Sequence, residues 1–135
     1  MATLDDDTIA KLRTLITDAY RERDADARAD ALGAALDAGA TEHFGALAAQ
    51  AVGDQVLALC MLARSFPRHV ALGQILPWFE SDEERVRMAV VRATTLREVD
   101  TEVMSLIRRA VVDPAAPVRV AAIRAVRDNR NKNLR

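Results

Sequence analysis

Hydrophobic residues recur every three to four positions along most of this 135-residue chain, which is the spacing of one face of an α-helix. No stretch of the chain long enough for a β-strand alternates between apolar and polar residues, so we expect no β-sheet. The pattern predicts eight amphipathic helices, over residues 5–22, 27–37, 41–52, 55–65, 69–79, 83–97, 101–112 and 116–128. Turn-forming residues separate them, including Gly39, Gly53-Asp54, Pro67 and Asp113-Pro114. Pro77 lies inside the fifth segment and should bend it or end it early.

An internal repeat organises these segments. Residues 86–93 (VRMAVVRA) and 118–125 (VRVAAIRA) match at five positions in register, 32 residues apart. Fainter copies begin at residues 27 and 56, so successive copies are 29, 30 and 32 residues apart. That period fits two helices and two short turns, the unit of a helical-repeat solenoid. A four-helix bundle is the competing fold, but segments of this length are short for a bundle of 135 residues.

Composition and charge add to this prediction. Half of the residues are hydrophobic and 29% are charged, which is typical of a globular domain. Residues 1–67 carry six basic and eleven acidic side chains, whereas residues 68–135 carry thirteen basic and nine acidic ones. This polarity can orient an encounter or allow head-to-tail self-association, although two ordinary solvated faces would give the same counts.

No apolar run approaches membrane-spanning length, and the N-terminus does not have the pattern of a signal peptide. We therefore expect a cytoplasmic protein that does not bind membranes. The excess of Arg over Lys and the abundance of Ala indicate a GC-rich bacterial genome.

The last two copies of the repeat resemble the HEAT family, in particular the short bacterial HEAT-like proteins and the repeats of bilin lyases. HEAT helix pairs typically run Asp, a short turn, and then Val-Arg opening the second helix. Here Asp113 lies six residues before Arg119, and Asp82 precedes Arg87 with a shift of one. The first copy keeps Arg28, and the second departs most because a leucine replaces the arginine.

The resemblance implies a single domain over residues 1–135, an all-α, right-handed α-solenoid (an alpha-alpha superhelix) of about four HEAT-like helix pairs. The pairs would occupy residues 4–38, 40–66, 69–98 and 100–128, followed by a polar tail over 129–135. In this family the second helices usually line a concave face. Their Val-Arg arginine usually bonds a neighbouring repeat, which implies structural links between repeats at Arg28, Arg87, Arg119 and Asp113.

A second set of arginines provides the candidate partner-binding residues. Arg92 and Arg124 lie five residues after Arg87 and Arg119, about 140° around the helix, so they should be more exposed. Arg127 and Arg130 extend this basic end. Such a row could bind an acidic protein segment or phosphates. No aromatic residues are interleaved for base stacking, so a protein or acidic peptide ranks above nucleic acid.

No catalytic, metal or cofactor site is predicted. His43 and His69 lack a companion at metal-ligand spacing, and Cys60 lies in an apolar run typical of a buried, inert thiol. The sequence contains neither a nucleophile elbow nor a phosphate-binding glycine loop. We therefore expect a non-catalytic scaffold or adaptor that binds protein. HEAT-like relatives suggest two alternatives, a nucleic-acid-binding protein like the HEAT-like DNA glycosylases and an accessory subunit of a lyase.

Overall fold

The computed structural model describes the backbone of residues 5–133 and the side chains of residues 5–129. Within this range the chain is all-α and contains no strand, which confirms the prediction of an all-α chain. Its α-helices are α1 (Asp6–Arg21), α2 (Ala25–Asp37), α3 (Phe44–Ala48), α4 (Asp54–Ser65), α5 (Glu84–Arg92), α6 (Thr101–Ala110) and α7 (Ala116–Asn133). Two short 3₁₀ helices, Leu72–Gln74 and Leu76–Glu80, lie between α4 and α5.

Aspartate side chains begin three of these helices. Asp5, Asp24 and Asp100 each accept a hydrogen bond from the backbone N–H three residues later, at 2.7 Å, 2.9 Å and 2.8 Å. An N-cap of this kind satisfies one of the N–H groups that the first helical turn leaves without a partner. The local sequence therefore fixes the starts of α1, α2 and α6.

The predicted helix over residues 69–79 is wrong, because this segment forms the two 3₁₀ helices instead. Pro77 lies in the first turn of the second one, where a backbone N–H would have no acceptor within the helix, so the proline costs no hydrogen bond. Three of the four apolar positions that suggested a helix are nevertheless buried, since Leu72, Ile75 and Phe79 are all at most 5% exposed, whereas Leu76 is half-buried. The segment keeps the predicted apolar face with a tighter backbone.

Three other helix boundaries also differ from the prediction. The segment over 41–52 forms only the short α3, and α5 ends at Arg92 rather than at residue 97. Thr94 and Thr95 follow α5, and their hydroxyls donate to carbonyls three residues earlier, which competes with continuation of the helix. At the other end, α7 continues to Asn133 through part of the predicted polar tail, because no Gly or Pro stops it.

The chain divides into two compact units, Met1–Leu62 and Ala63–Arg135. In the first unit α1 packs against α2 and α3. The guanidinium of Arg13 on α1 donates to the carbonyls of Leu47 (Nε, 2.9 Å) and Ala46 (Nη2, 3.1 Å), which lie near the end of α3. These bonds give two C-terminal carbonyls of a five-residue helix a charged donor.

In the second unit α5 packs against α7, α6 and the second 3₁₀ helix, and α6 packs against α7. Alanines at Ala121, Ala122 and Ala125 occupy the buried face of α7 and permit a close approach to its neighbours. Arg109 on α6 lies over the ring of Phe79, with its guanidinium carbon 4.8 Å from the ring centroid, and also pairs with Glu80. Among the described residues no helix is both long and apolar enough to cross a bilayer.

Candidate binding groove

A groove of about 650 Å³ runs between α5 and α7 in the second unit. Its apolar lining comes from Met88 on α5 and from Pro117, Val120, Ala121 and Ala125 on α7. Val120 is 44% exposed, so part of this apolar surface is open to solvent. A bound chain could therefore bury hydrophobic surface here as well as form polar contacts.

Arginines dominate the charged lining of the groove. Arg92 comes from α5, Arg124 from α7 and Arg64 from the last turn of α4, and all three are exposed. Asp128 is the one acidic residue among the groove-lining side chains. The groove-lining side chains together therefore carry a charge of about +2 at neutral pH.

Helical periodicity explains how these side chains reach one surface. Met88 and Arg92 are four residues apart on α5, and Thr95 lies three residues further on, in the turn that follows the helix. Val120, Arg124 and Asp128 are spaced four residues apart along α7, so they lie on one stripe of that helix. Because α5 and α7 pack together, the two stripes form the walls of a single groove.

The structure thus brings together two of the four candidate partner-binding arginines, Arg92 and Arg124. Arg127 does not line the groove, and its Nε lies 3.7 Å from Oδ1 of Asp128. The side chain of Arg130 lies outside the described residues. Arg64 joins the groove although the sequence did not single it out.

A bidentate ion pair links the turn before α7 to α5. Arg87 donates from Nε to Oδ2 of Asp113 at 3.0 Å and from Nη2 to Oδ1 at 3.1 Å, across 26 residues of chain. The two side chains are 14% and 5% exposed. The hydrogen bonds from Arg87 lower the pKa of the Asp113 carboxyl below its ordinary value, although burial acts against them. The same bonds raise the pKa of Arg87.

Three arginines at equivalent positions of the repeat make the same hydrogen bond to the backbone. Arg28, Arg87 and Arg119 each donate from Nη1 to the backbone carbonyl six residues earlier, at 3.4 Å, 2.9 Å and 2.8 Å. The bond closes the turn that leads into the helix carrying the arginine. In the described structure only Arg87 and Asp113 also join two predicted repeats. Arg28 and Arg119 instead bond within their own predicted repeats, since their guanidinium groups reach back to the preceding turn.

Arg97 is a structural residue that the sequence did not reveal. Its guanidinium donates to the carbonyls of Ala93 at 3.1 Å, Pro67 at 3.2 Å and Ala63 at 3.1 Å. Loss of solvation lowers its pKa. Two of these acceptors lie 30 and 34 residues earlier in the chain, so no local pattern could have indicated the contact. For Arg64 the sequence contained only a weak indication, because it is a basic residue in the last turn of a predicted helix.

The other chemically active residue types are not grouped. Within the described residues no cluster of three or more His, Cys, Asp or Glu could hold a metal ion. The ring of His69 packs edge-on against Phe66, with centroids 6.1 Å apart. Cys60 is 1% exposed, and burial raises its pKa to about 12. Its thiol is therefore protonated at neutral pH.

Comparison of the chain with protein families, with curated proteins and with solved structures finds no match. The functional inference therefore depends on this chain's own residues. They define an all-α protein with an internal repeat and an arginine-lined groove between two equivalent helices of that repeat.

Proposed function

We propose that this protein is a HEAT-like repeat scaffold that binds an acidic segment of a protein in the groove between α5 and α7. The observation that carries the proposal is the position of Arg92 and Arg124. These register-equivalent residues come from two helices that are distant in sequence, and they line the same groove together with Arg64.

Local geometry supports the assignment to helical repeats. The arginine-to-carbonyl bond recurs six residues back at three of the four repeat copies. In the second unit α7 packs against its own first helix α6, α5 packs against the second 3₁₀ helix, and the second helices α5 and α7 pack against each other. Stacked helical hairpins make this pattern of contacts. A right-handed solenoid of four HEAT-like pairs extends the pattern to the whole chain.

The chemistry of the groove favours a carboxylate-bearing ligand. A guanidinium group binds a carboxylate through two parallel hydrogen bonds, and such charge-assisted bonds are stronger than neutral ones. The apolar lining at Met88, Val120 and Pro117 would cover the non-polar side of the same segment. Residues 63–135 carry fourteen basic and nine acidic side chains, so the surrounding charge also attracts an anionic partner.

Phosphates of a nucleic acid would also be attracted to three arginines, but no aromatic side chain lines this groove. Base stacking supplies much of the affinity of single-stranded nucleic acid sites. A protein segment therefore fits the groove better than a nucleic acid strand does.

The test is a binding titration with a labelled peptide rich in glutamate and leucine, and with the same peptide carrying glutamine at every glutamate. Arg92→Gln combined with Arg124→Gln should weaken binding of the acidic peptide at least about tenfold, which corresponds to 1.4 kcal/mol. Arg68→Gln combined with Arg108→Gln is the matched control, because both residues are exposed, both lie outside the groove, and the two substitutions remove the same charge.

Equal losses in the two double variants would show that only net charge matters and would overturn the proposal. A single-stranded oligonucleotide forms the second arm of the titration. If it binds more tightly than the peptide and depends on Arg92 and Arg124, the groove is a nucleic-acid site instead.

A further inference from the structure

Helix α2 carries a row of exposed carboxylates. Asp26, Asp30 and Asp37 are separated by four and seven residues, which places them within about 40° of one another around the helix. None of the three forms an ion pair among the described residues. Gly33 lies on the same stripe, and a Cβ added there would meet nothing within 4 Å. The row is therefore an open acidic ridge without a bulky side chain at its centre.

The ridge matches the groove in length. From Asp26 to Asp37 the helix advances eleven residues, about 16 Å at 1.5 Å per residue. The α7 wall of the groove runs from Ala116 to Asp128, twelve residues and about 18 Å. The row of three carboxylates is thus similar in length to this wall, and the groove carries three guanidinium groups.

The charges of the two units are complementary as well. Met1–Leu62 carries five basic and eleven acidic side chains, whereas Ala63–Arg135 carries fourteen basic and nine acidic ones. The three ridge carboxylates and the three groove arginines are all exposed in the described structure. Each molecule therefore presents both halves of a charge-complementary contact.

We propose that the acidic segment that fills the groove is helix α2 of a second copy of this chain. The inference rests on the function proposed above and names the occupant of that groove. Asp26, Asp30 and Asp37 of one copy pair with Arg64, Arg92 and Arg124 of the next. Because the two surfaces differ, the contact is head-to-tail, and each added copy leaves one groove and one ridge free for further growth or for ring closure.

The test measures self-association by sedimentation velocity over a concentration series at low and high salt. A ridge variant carries Asp26→Lys, Asp30→Lys and Asp37→Lys, and a groove variant carries Arg64→Glu, Arg92→Glu and Arg124→Glu. We expect the wild-type chain to associate, each variant alone to lose at least about tenfold in association constant, and high salt to weaken the wild-type contact.

Two charge-swapped combinations guard against misfolding. An equimolar mixture of the ridge and groove variants should associate, because the unchanged groove of one meets the unchanged ridge of the other and the introduced lysines meet the introduced glutamates. A chain that carries all six substitutions should associate with itself. The matched control, with Asp7→Lys, Asp18→Lys and Glu42→Lys, changes the same charge at exposed positions outside the ridge and should associate like the wild type.

A wild-type chain that remains monomeric at every concentration overturns this inference. Association that survives both variants, or that neither swapped combination restores, does the same. If the monomeric chain still binds the acidic peptide through Arg92 and Arg124, the proposed function stands and only the identity of the occupant is wrong. If it binds neither, both proposals fail.

Discussion

Replacing Asp113 with asparagine should destabilise the second unit by about 3 kcal/mol, the low end of the range for breaking a buried ion pair. The Asp113 carboxylate is 5% exposed and accepts two hydrogen bonds from Arg87. Asparagine would leave that guanidinium without its counter-charge. Its side-chain NH2 group would also point at an N–H of Arg87, so that two hydrogen-bond donors would face each other. The bond from the N–H of Ala115, 2.9 Å long in the wild type, can survive on the remaining oxygen.

Urea unfolding followed by tryptophan fluorescence measures this loss. Trp78 is the one tryptophan of the chain and lies in the second unit, so its signal reports on the unit that contains the pair. Arg127→Gln is the control, because Arg127 and Asp128 form an ion pair at 3.7 Å in the same unit, and their side chains are 66% and 45% exposed. An exposed pair of this kind should cost about 0.5 kcal/mol or less.

The pH dependence provides a second check on the same pair. Because the hydrogen bonds from Arg87 lower the pKa of Asp113, its carboxylate stabilises the fold fully above the unfolded value of about 3.9. That stability is lost as the pH falls through the lower, folded pKa. The difference between the wild type and Asp113→Asn should therefore stay constant from about pH 7 to 5 and shrink below about pH 4.

The reasoning is refuted if Asp113→Asn costs less than about 0.5 kcal/mol, because the pair would then behave like an exposed one. A difference that grows on acidification would contradict the assigned pKa direction.

Two further predictions concern buried polar groups. Asn129 is 3% exposed, and neither its side-chain oxygen nor its side-chain nitrogen has a hydrogen-bond partner among the described residues. Asn129→Leu should therefore stabilise the chain by about 1–2 kcal/mol in thermal or urea unfolding. A loss of stability would show that the amide is satisfied. Cys60, with its pKa raised to about 12, should not react with a thiol-specific disulfide reagent at pH 8 until urea unfolds the chain, and rapid labelling of the folded protein would contradict its burial.

The sequence was sufficient to predict a helix wherever residues close to its start determine where it begins. The predicted segments for α1, α4 and α6 agree with the structure to within about two residues, which is the ordinary disagreement over helix ends. Each combines an apolar stripe with an acidic first turn or an aspartate cap, so the start is encoded within a few residues. An all-α chain could therefore be predicted with its main elements in order.

The failures arise where distant or competing interactions decide the backbone. The apolar spacing of residues 69–79 is equally compatible with a tight 3₁₀ path, and Pro77 favours that path. The end of α5 depends on the hydroxyls of Thr94 and Thr95, whose bonds to nearby carbonyls a hydrophobic pattern does not register. A pattern of apolar positions specifies which side chains are buried more reliably than it specifies the helix type.

The candidate site shows the same division. Arg92 and Arg124 could be singled out because a repeat places equivalent residues on equivalent helices, and those helices pack side by side. Arg64 has no counterpart in the repeat register, so its arrival at the groove depends on the path of the chain after α4. Arg97 likewise takes its role from carbonyls that folding brings to it.

The second copy of the repeat explains why an arginine can be lost from the motif without loss of the helix. Leu57 stands where the other copies have arginine, and its side chain is buried. The turn before α4 instead contains Gly53 at φ +57°, a left-handed conformation that glycine adopts without steric cost. The side chain of Gln55 also accepts a bond from the N–H of Val52 at 3.1 Å. In this copy a glycine turn and a side-chain amide thus take the place of the hydrogen bond from the arginine to the carbonyl six residues earlier. Position 57 can therefore hold a leucine of the core.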